Sequence, residues 1–180
     1  MKSVKKLAGI LLLMVGFLML GCGAKAETQS SSGDMTMEAF PSFRTKDLNG
    51  SEVTDQIFAQ KKITVINIWG TFCPPCIEEM PELAEWSRNM PKDAQIIGIV
   101  CDVGNEQDTK NIEAARSILK EANADFVNLL PNKEIGKYVD QVEAVPTTVF
   151  VDSKGKFIGK PVIGADVEGY KKVVKAYLHE

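Results

Sequence analysis

The sequence predicts an α/β fold, a mixed central β-sheet flanked by helices with an N-terminal β-hairpin extension, and three observations point to it. Apolar, β-branched runs suited to buried strands recur at 63–69, 94–100 and 147–152. Helical periodicity of apolar residues fills the intervals between them and the last stretch of the chain. The third run leads through a short turn into another strand, so the sheet is expected to mix parallel and antiparallel pairs.

The elements follow in order. Phe40 to Thr54 reads as a hairpin about Asn49-Gly50, a dipeptide that favours tight turns, and Asp55 to Lys61 as a helical turn. Ile63 to Trp69 is a central strand. It feeds through Gly70-Thr71-Phe72 into Cys73-Pro74-Pro75-Cys76 and a helix. In that helix Ile77, Met80, Leu83 and Ala84 are expected inward, with Glu78, Glu79, Glu82 and Glu85 on the wet side. Ala94 to Val100 is a second buried strand, Asn105 to Asn123 a helix, Asp125 to Leu130 a third short strand and Lys133 to Val139 a short helix. Thr147 to Asp152 and Lys156 to Ile163 form a hairpin about Ser153-Lys154-Gly155. Val167 to Leu178 closes the chain as an amphipathic helix.

The ends read differently from the middle. Lys2, Lys5 and Lys6 precede an apolar run, Leu7 to Leu20, too short for a comfortable membrane span but suited to a signal peptide. The run ends in Met19-Leu20-Gly21-Cys22, which resembles a bacterial lipoprotein cleavage site. That resemblance implies removal of residues 1–21, lipidation of Cys22 and a cell-membrane location on the extracytoplasmic side. Residues 22–38 are small and polar and read as a flexible tether, leaving 39–180 as one domain. A net charge of -3 without a basic block implies neither nucleic acid nor an anionic membrane surface as partner.

Cysteine usage narrows the chemistry. The chain has 4 cysteines: Cys22, the close pair Cys73 and Cys76, and a lone Cys101. A stapled scaffold needs more of them, and zinc needs a ligand set that His179, the single histidine, does not complete. Two nearby thiols between a strand and a helix are the thioredoxin-like redox arrangement, so no metal and no further cofactor is expected. The positive end of the helix dipole stabilises a thiolate at Cys73, and Cys76 lies close enough to close a disulfide. Pro74 and Pro75 each remove an N–H that could bond that thiolate, which points to a reducing couple. Pro75 also disfavours α conformation at Pro74, so the helix is expected to start one residue late.

The segment from Trp69 to Leu83, with Cys73-Pro74-Pro75-Cys76 at its centre, resembles the TlpA/ResA-like branch of extracytoplasmic thioredoxins. A second motif, Val145-Pro146-Thr147-Thr148-Val149-Phe150-Val151-Asp152, follows in the order that family has it, and the resemblance covers the chain from about Phe40. It implies a thioredoxin-like fold and a thiol–disulfide oxidoreductase. Cys73 would be the nucleophile, Cys76 the resolving thiol, and Pro146 a cis-proline that with Val145 receives substrate. Trp69, Phe72, Pro74, Pro75 and Thr147 would line the substrate site. Asn67 stands where ordinary thioredoxins keep a buried aspartate, and Glu79, one helical turn beyond Cys76, is the proton-transfer candidate in its place. From the sequence alone Glu79 reads first as a solvated acid, Trp69 equally as a core aromatic or a wall of the site, and Cys101 as a buried small hydrophobe ahead of a third redox thiol.

The function expected is a membrane-anchored reductase of protein disulfides or sulfenates. The resemblance implies clients such as apocytochrome c or a methionine sulfoxide reductase, roles in cytochrome c biogenesis or antioxidant defence. It implies re-reduction by a membrane thiol carrier of the CcdA/DsbD type, and a monomer is expected. Two alternatives stay open: a thiol oxidant that installs disulfides, and a non-enzymatic metal- or haem-binding lipoprotein.

Overall fold

A computed structural model describes residues 37–179, so the signal segment, Cys22 and most of the tether lie outside the described residues. Packing nonetheless reaches Met37, two residues before the expected start of the domain. Met37 lies against the hydrophobic core, and the Glu38 carbonyl accepts from Phe157 N–H at 3.1 Å.

Strands β1 (Arg44–Lys46) and β2 (Glu52–Thr54) form the expected N-terminal hairpin. Its turn holds because Asp47 Oδ1 accepts from the N–H groups of Asn49 and Ser51, and because Gly50 takes the left-handed φ of 83° that the turn requires. A 3₁₀ turn at Asp55–Gln60 leads to β3 (Ile63–Trp69), and α1 (Pro74–Asn89) follows. Then come β4 (Ala94–Val100), α2 (Thr109–Glu121), β5 (Asn128–Leu129) and α3 (Lys133–Val139). The chain closes with β6 (Thr147–Asp152), β7 (Val162–Ile163) and α4 (Val167–Leu178).

The main sheet has the order β5-β4-β3-β6-β7. β3, β4 and β5 run parallel, while β6 pairs antiparallel with β3 and β7 with β6. All seven residues of β3 are buried, as a strand covered on both faces requires. On one face Trp69, Met80, Leu83, Phe150 and Tyr170 join α1 and α4 to the sheet. The other face is an aromatic cluster in which Phe40 meets Phe43, Phe58, Tyr138 and Phe157 at centroid separations of 5.1 to 6.3 Å.

Three expected elements are shorter than the sequence suggests. α2 begins at Thr109 because Asp108 caps it, accepting from Asn111 N–H at 3.3 Å, which leaves 105–108 as a turn. The 125–130 strand contracts to β5, since only Asn128 and Leu129 find register partners on β4. The second arm of the last hairpin is broken around Gly159 and Pro161. Phe157 bridges to Val151, and only Val162 and Ile163 pair with β6.

Candidate active site

The carboxyl end of β3 delivers the chain into the reactive turn. Asp102, just past β4, clamps that turn: its Oδ1 accepts from Thr71 N–H at 3.0 Å and its Oδ2 from the Thr71 hydroxyl at 2.5 Å. Cys73 is the N-cap of α1, and Cys73 and Cys76 are joined by a disulfide with Sγ–Sγ 2.10 Å. The helix does not start late. Pro74 is its first residue, because in the first turn a proline carries a helical φ and has no carbonyl four residues back to clash with. With prolines at the first two helical positions, the N–H that reaches Cys73 Sγ is that of Cys76, at 3.3 Å.

The two sulfurs differ in access. Cys73 retains a sliver of surface, 4 % exposed, while Cys76 has none. Across from them the Val145–Pro146 peptide is cis, and the Val145 carbonyl oxygen lies 3.4 Å from Cys73 Sγ. The sequence-predicted pair and the second motif are thereby brought together. Phe72 stands beside the disulfide at 67 % exposure, with Pro74 and Pro75 also exposed. A cleft of about 420 Å³ opens next to it, lined by Phe72, Ile68, Cys101, Val142 and Val145, with Glu143 also lining it. Burial and the neighbouring Asp102 push the Cys101 thiol up to about 11, which keeps it a thiol at neutral pH.

Two of the expected substrate contacts are placed elsewhere. Trp69 has no exposed surface; it sits in the same core cluster as both cysteines and donates its indole N–H to Asn128 Oδ1 at 2.8 Å. It backs the disulfide, where no partner protein reaches it, because β3 is covered on both faces up to its last residue. Thr147 is likewise buried, and its hydroxyl donates to the Ala144 carbonyl at 2.7 Å, so its side chain shapes the Val145–Pro146 loop from within.

The helix face also differs from the expectation. Ile77 points outward at 37 % exposure, and Glu79 is buried at 6 %. The inward stripe is Cys76, Glu79, Met80 and Leu83, spaced three and four apart as one helix face demands. An acid is tolerated there because donors converge on it. Asn67 Nδ2 donates to Glu79 Oε1 at 2.9 Å and also to Thr148 Oγ1 at 3.0 Å. The Tyr170 hydroxyl, from α4, lies 3.2 Å from Glu79 Oε2. Burial dominates these bonds and raises the Glu79 carboxyl from 4.5 to about 7.

Sequence reasoning missed Asp102, Asn128, Thr148 and Tyr170. Three of them carried no local signal. Tyr170 did stand on the apolar stripe of an amphipathic helix, where a buried tyrosine hydroxyl calls for a polar partner.

The arrangement can perform thiol–disulfide exchange: an accessible sulfur at a helix N-terminus, an enclosed second sulfur, a main-chain edge beside them and a titrating acid one turn away. Comparison with known proteins agrees. The Redoxin family model matches residues 35–174. The chain is 29 % identical over 180 residues to a thiol-disulfide oxidoreductase ResA of Bacillus cereus, covering 94 % of this chain and 95 % of that one. A ResA of Bacillus thuringiensis is 30 % identical over 157 residues, covering 82 % and 85 %. Among solved structures, a thioredoxin-family thiol:disulfide interchange protein from Chlorobium tepidum superposes with a TM-score of 0.62 at 19 % identity, covering 79 % of this chain and 97 % of that one. At that identity the structural match speaks for the fold alone.

Proposed function

The chain belongs to the Redoxin family and is a thiol–disulfide oxidoreductase, and from that premise we propose that it works as an extracytoplasmic, membrane-anchored reductase of protein disulfides or sulfenates. The observation that carries the direction is the proline pair in the first turn of α1. The Cys76 N–H is the backbone donor on Cys73 Sγ where a helix start could offer more, so the thiolate of the reduced form is modestly stabilised. A less stabilised dithiol gives up its electrons more readily.

In this reading the Cys73 thiolate attacks a client disulfide, forming the Cys73–client bond and expelling one client thiolate. Cys76, losing its proton, then attacks Cys73 Sγ, re-forms the internal disulfide and releases the second client thiolate. The client takes up the two electrons of the Cys73–Cys76 dithiol, and its two released thiolates take their protons from water. Glu79, buried on the same face one turn beyond Cys76 and titrating near neutrality, receives the Cys76 proton and returns it in the next cycle. Val145 and Pro146 present the edge that holds the client, and exposed Phe72, Pro74 and Pro75 flank it.

The electrons reside in the cysteine pair, so no further cofactor takes part. A membrane thiol carrier of the CcdA/DsbD type regenerates the dithiol. Clients are apocytochrome c or a methionine sulfoxide reductase, consistent with Cys22 as a lipid anchor. The test is a Cys76→Ala variant expressed in intact cells. It should accumulate mixed disulfides through Cys73 with envelope proteins whose own cysteines are paired, while Cys73→Ala should accumulate none. Equal trapping by both variants would remove Cys73 from the role of nucleophile.

A further inference from the structure

Tyr170 reaches from α4 to the buried acid behind the disulfide, and it meets more partners than its single proton can serve. Its oxygen lies 2.9 Å from the Gly164 carbonyl oxygen and 3.2 Å from Glu79 Oε2, and it accepts from Asp166 N–H at 3.3 Å. A phenol has one O–H to donate, so Gly164 and a Glu79 carboxylate compete for it. On the other side of the carboxyl, Asn67 spends its Nδ2 on Glu79 Oε1 and Thr148 Oγ1, while its Oδ1 finds no hydrogen-bond partner among the described residues. Oε1 therefore already faces a donor, and a proton on Glu79 belongs on Oε2, facing Tyr170. Gly164 is not a bystander: its N–H donates to the Pro146 carbonyl at 2.8 Å, so it is bonded to the loop beside the disulfide.

We propose that the Tyr170 hydroxyl is a two-position rotor. It donates to the Glu79 carboxylate in one protonation state and to the Gly164 carbonyl in the other, which carries the state of Glu79 to the client-binding loop. The inference rests on the reading of Glu79 as the proton carrier. With Glu79 protonated, Oε2–H donates to the Tyr170 oxygen and the Tyr170 proton turns to Gly164, so Glu79 and Gly164 no longer compete for it. With Glu79 ionised, the Tyr170 proton returns to Oε2 and the Gly164 carbonyl loses its donor. No atom leaves its place; one hydrogen bond reverses direction and another is made or broken. Tyr170 is thus a positioning residue for Glu79. The Thr148 hydroxyl, which accepts from Asn67 Nδ2, also approaches Tyr170, and the charge of Glu82, itself paired with Lys171 at 2.9 Å, bears on the carboxyl.

The test is a carbon-13 NMR titration of the oxidised full-length chain that follows the Glu79 carboxyl and the Gly164 carbonyl together. Both should move with one midpoint near neutrality. In Glu79→Gln the Gly164 step should vanish. In Tyr170→Phe the Gly164 step should vanish while the Glu79 midpoint moves up by about one pH unit, because the ionised form loses a charge-assisted bond and the neutral form a weaker one. A Gly164 carbonyl that stays still while Glu79 titrates overturns the rotor and leaves the proton-carrier reading standing. A Glu79 carboxyl with no midpoint between about pH 5 and 9 overturns both. The wild-type titration decides the matter even where a variant does not fold.

Discussion

Asn67 holds Glu79 against the floor of the active site, its Nδ2 2.9 Å from Oε1, on a strand where every side chain is buried. The pair joins the central strand to the helix that carries both cysteines. It explains how an acid survives where a bulk carboxylate does not: a neutral amide supplies a donor without supplying a compensating charge. Burial outweighs the pull of that bond toward the ionised form, and the carboxyl keeps its proton up to about pH 7.

That raised value sets a pH dependence of stability. Between the ordinary 4.5 and about 7 the folded chain holds a proton that the unfolded chain has lost. The stabilisation is therefore full below about 4.5 and is lost as the pH rises through 7. Its size is on the order of 3 kcal/mol, from about 1.4 kcal/mol for each pH unit that separates the two values. Urea unfolding of the oxidised chain at pH 5 and pH 8 should show this loss, and Glu79→Gln should flatten it. A wild-type profile as flat as that of the variant would contradict the buried, titrating acid.

Asn128 should matter to stability more than a polar residue on a two-residue strand suggests. It accepts the Trp69 indole N–H at 2.8 Å and returns an N–H to the Phe126 carbonyl at 2.9 Å. Asn128→Ala leaves a buried donor without a partner and should cost about 2 kcal/mol, read from chemical unfolding. Gly98→Ala attacks the same contact from the facing strand. A Cβ there would sit 1.9 Å from Asn128 Oδ1, so the Trp69–Asn128 bond could not survive, and the loss should be at least as large. A cost within 0.5 kcal/mol, roughly that of an ordinary surface change, would show the bond to be dispensable.

Much of this architecture was legible in the sequence because it is local. Ile63 to Trp69 and Ala94 to Val100 are β-branched runs long enough to be strands, and both have the expected bounds. Lys133–Val139 and Val167–Leu178 likewise match, each opened by a side-chain cap, Asn132 and Asp166. The cysteine pair is legible for the same reason, since its spacing and its place between strand and helix are sequence facts. What escaped was partnership at long range. Glu79 looks like one more acid on a wet helix face, and only Asn67 and Tyr170, 12 and 91 positions away, turn it inward. Trp69 reads as a wall of the site until Asn128, 59 positions on, shows where its indole is tied. The late helix start failed for a different reason: the restriction a proline places on its predecessor yields in a first turn that already fits both rings.

Restoring a backbone donor should move the couple in a known direction. Pro75→Ala returns an N–H to the second position of α1, beside the Cys76 N–H that already reaches Cys73 Sγ. The Cys73 thiol should become more acidic by about one pH unit, followed by thiolate absorbance, and the couple more oxidising by up to about 30 mV. A variant as reducing as the wild type would detach the prolines from the potential.

The measurement that bears most directly on the proposed direction is the reduction potential of the Cys73–Cys76 couple in the wild-type chain. It can be followed through the fluorescence of Trp69, which packs in one cluster with both cysteines, across a series of thiol buffers. The expected value is near or below about −270 mV, the range of thioredoxin, and would establish a dithiol that passes electrons outward to client disulfides. A value near about −120 mV, the range of a strong disulfide-forming oxidant, would contradict it and make the same site one that installs disulfides.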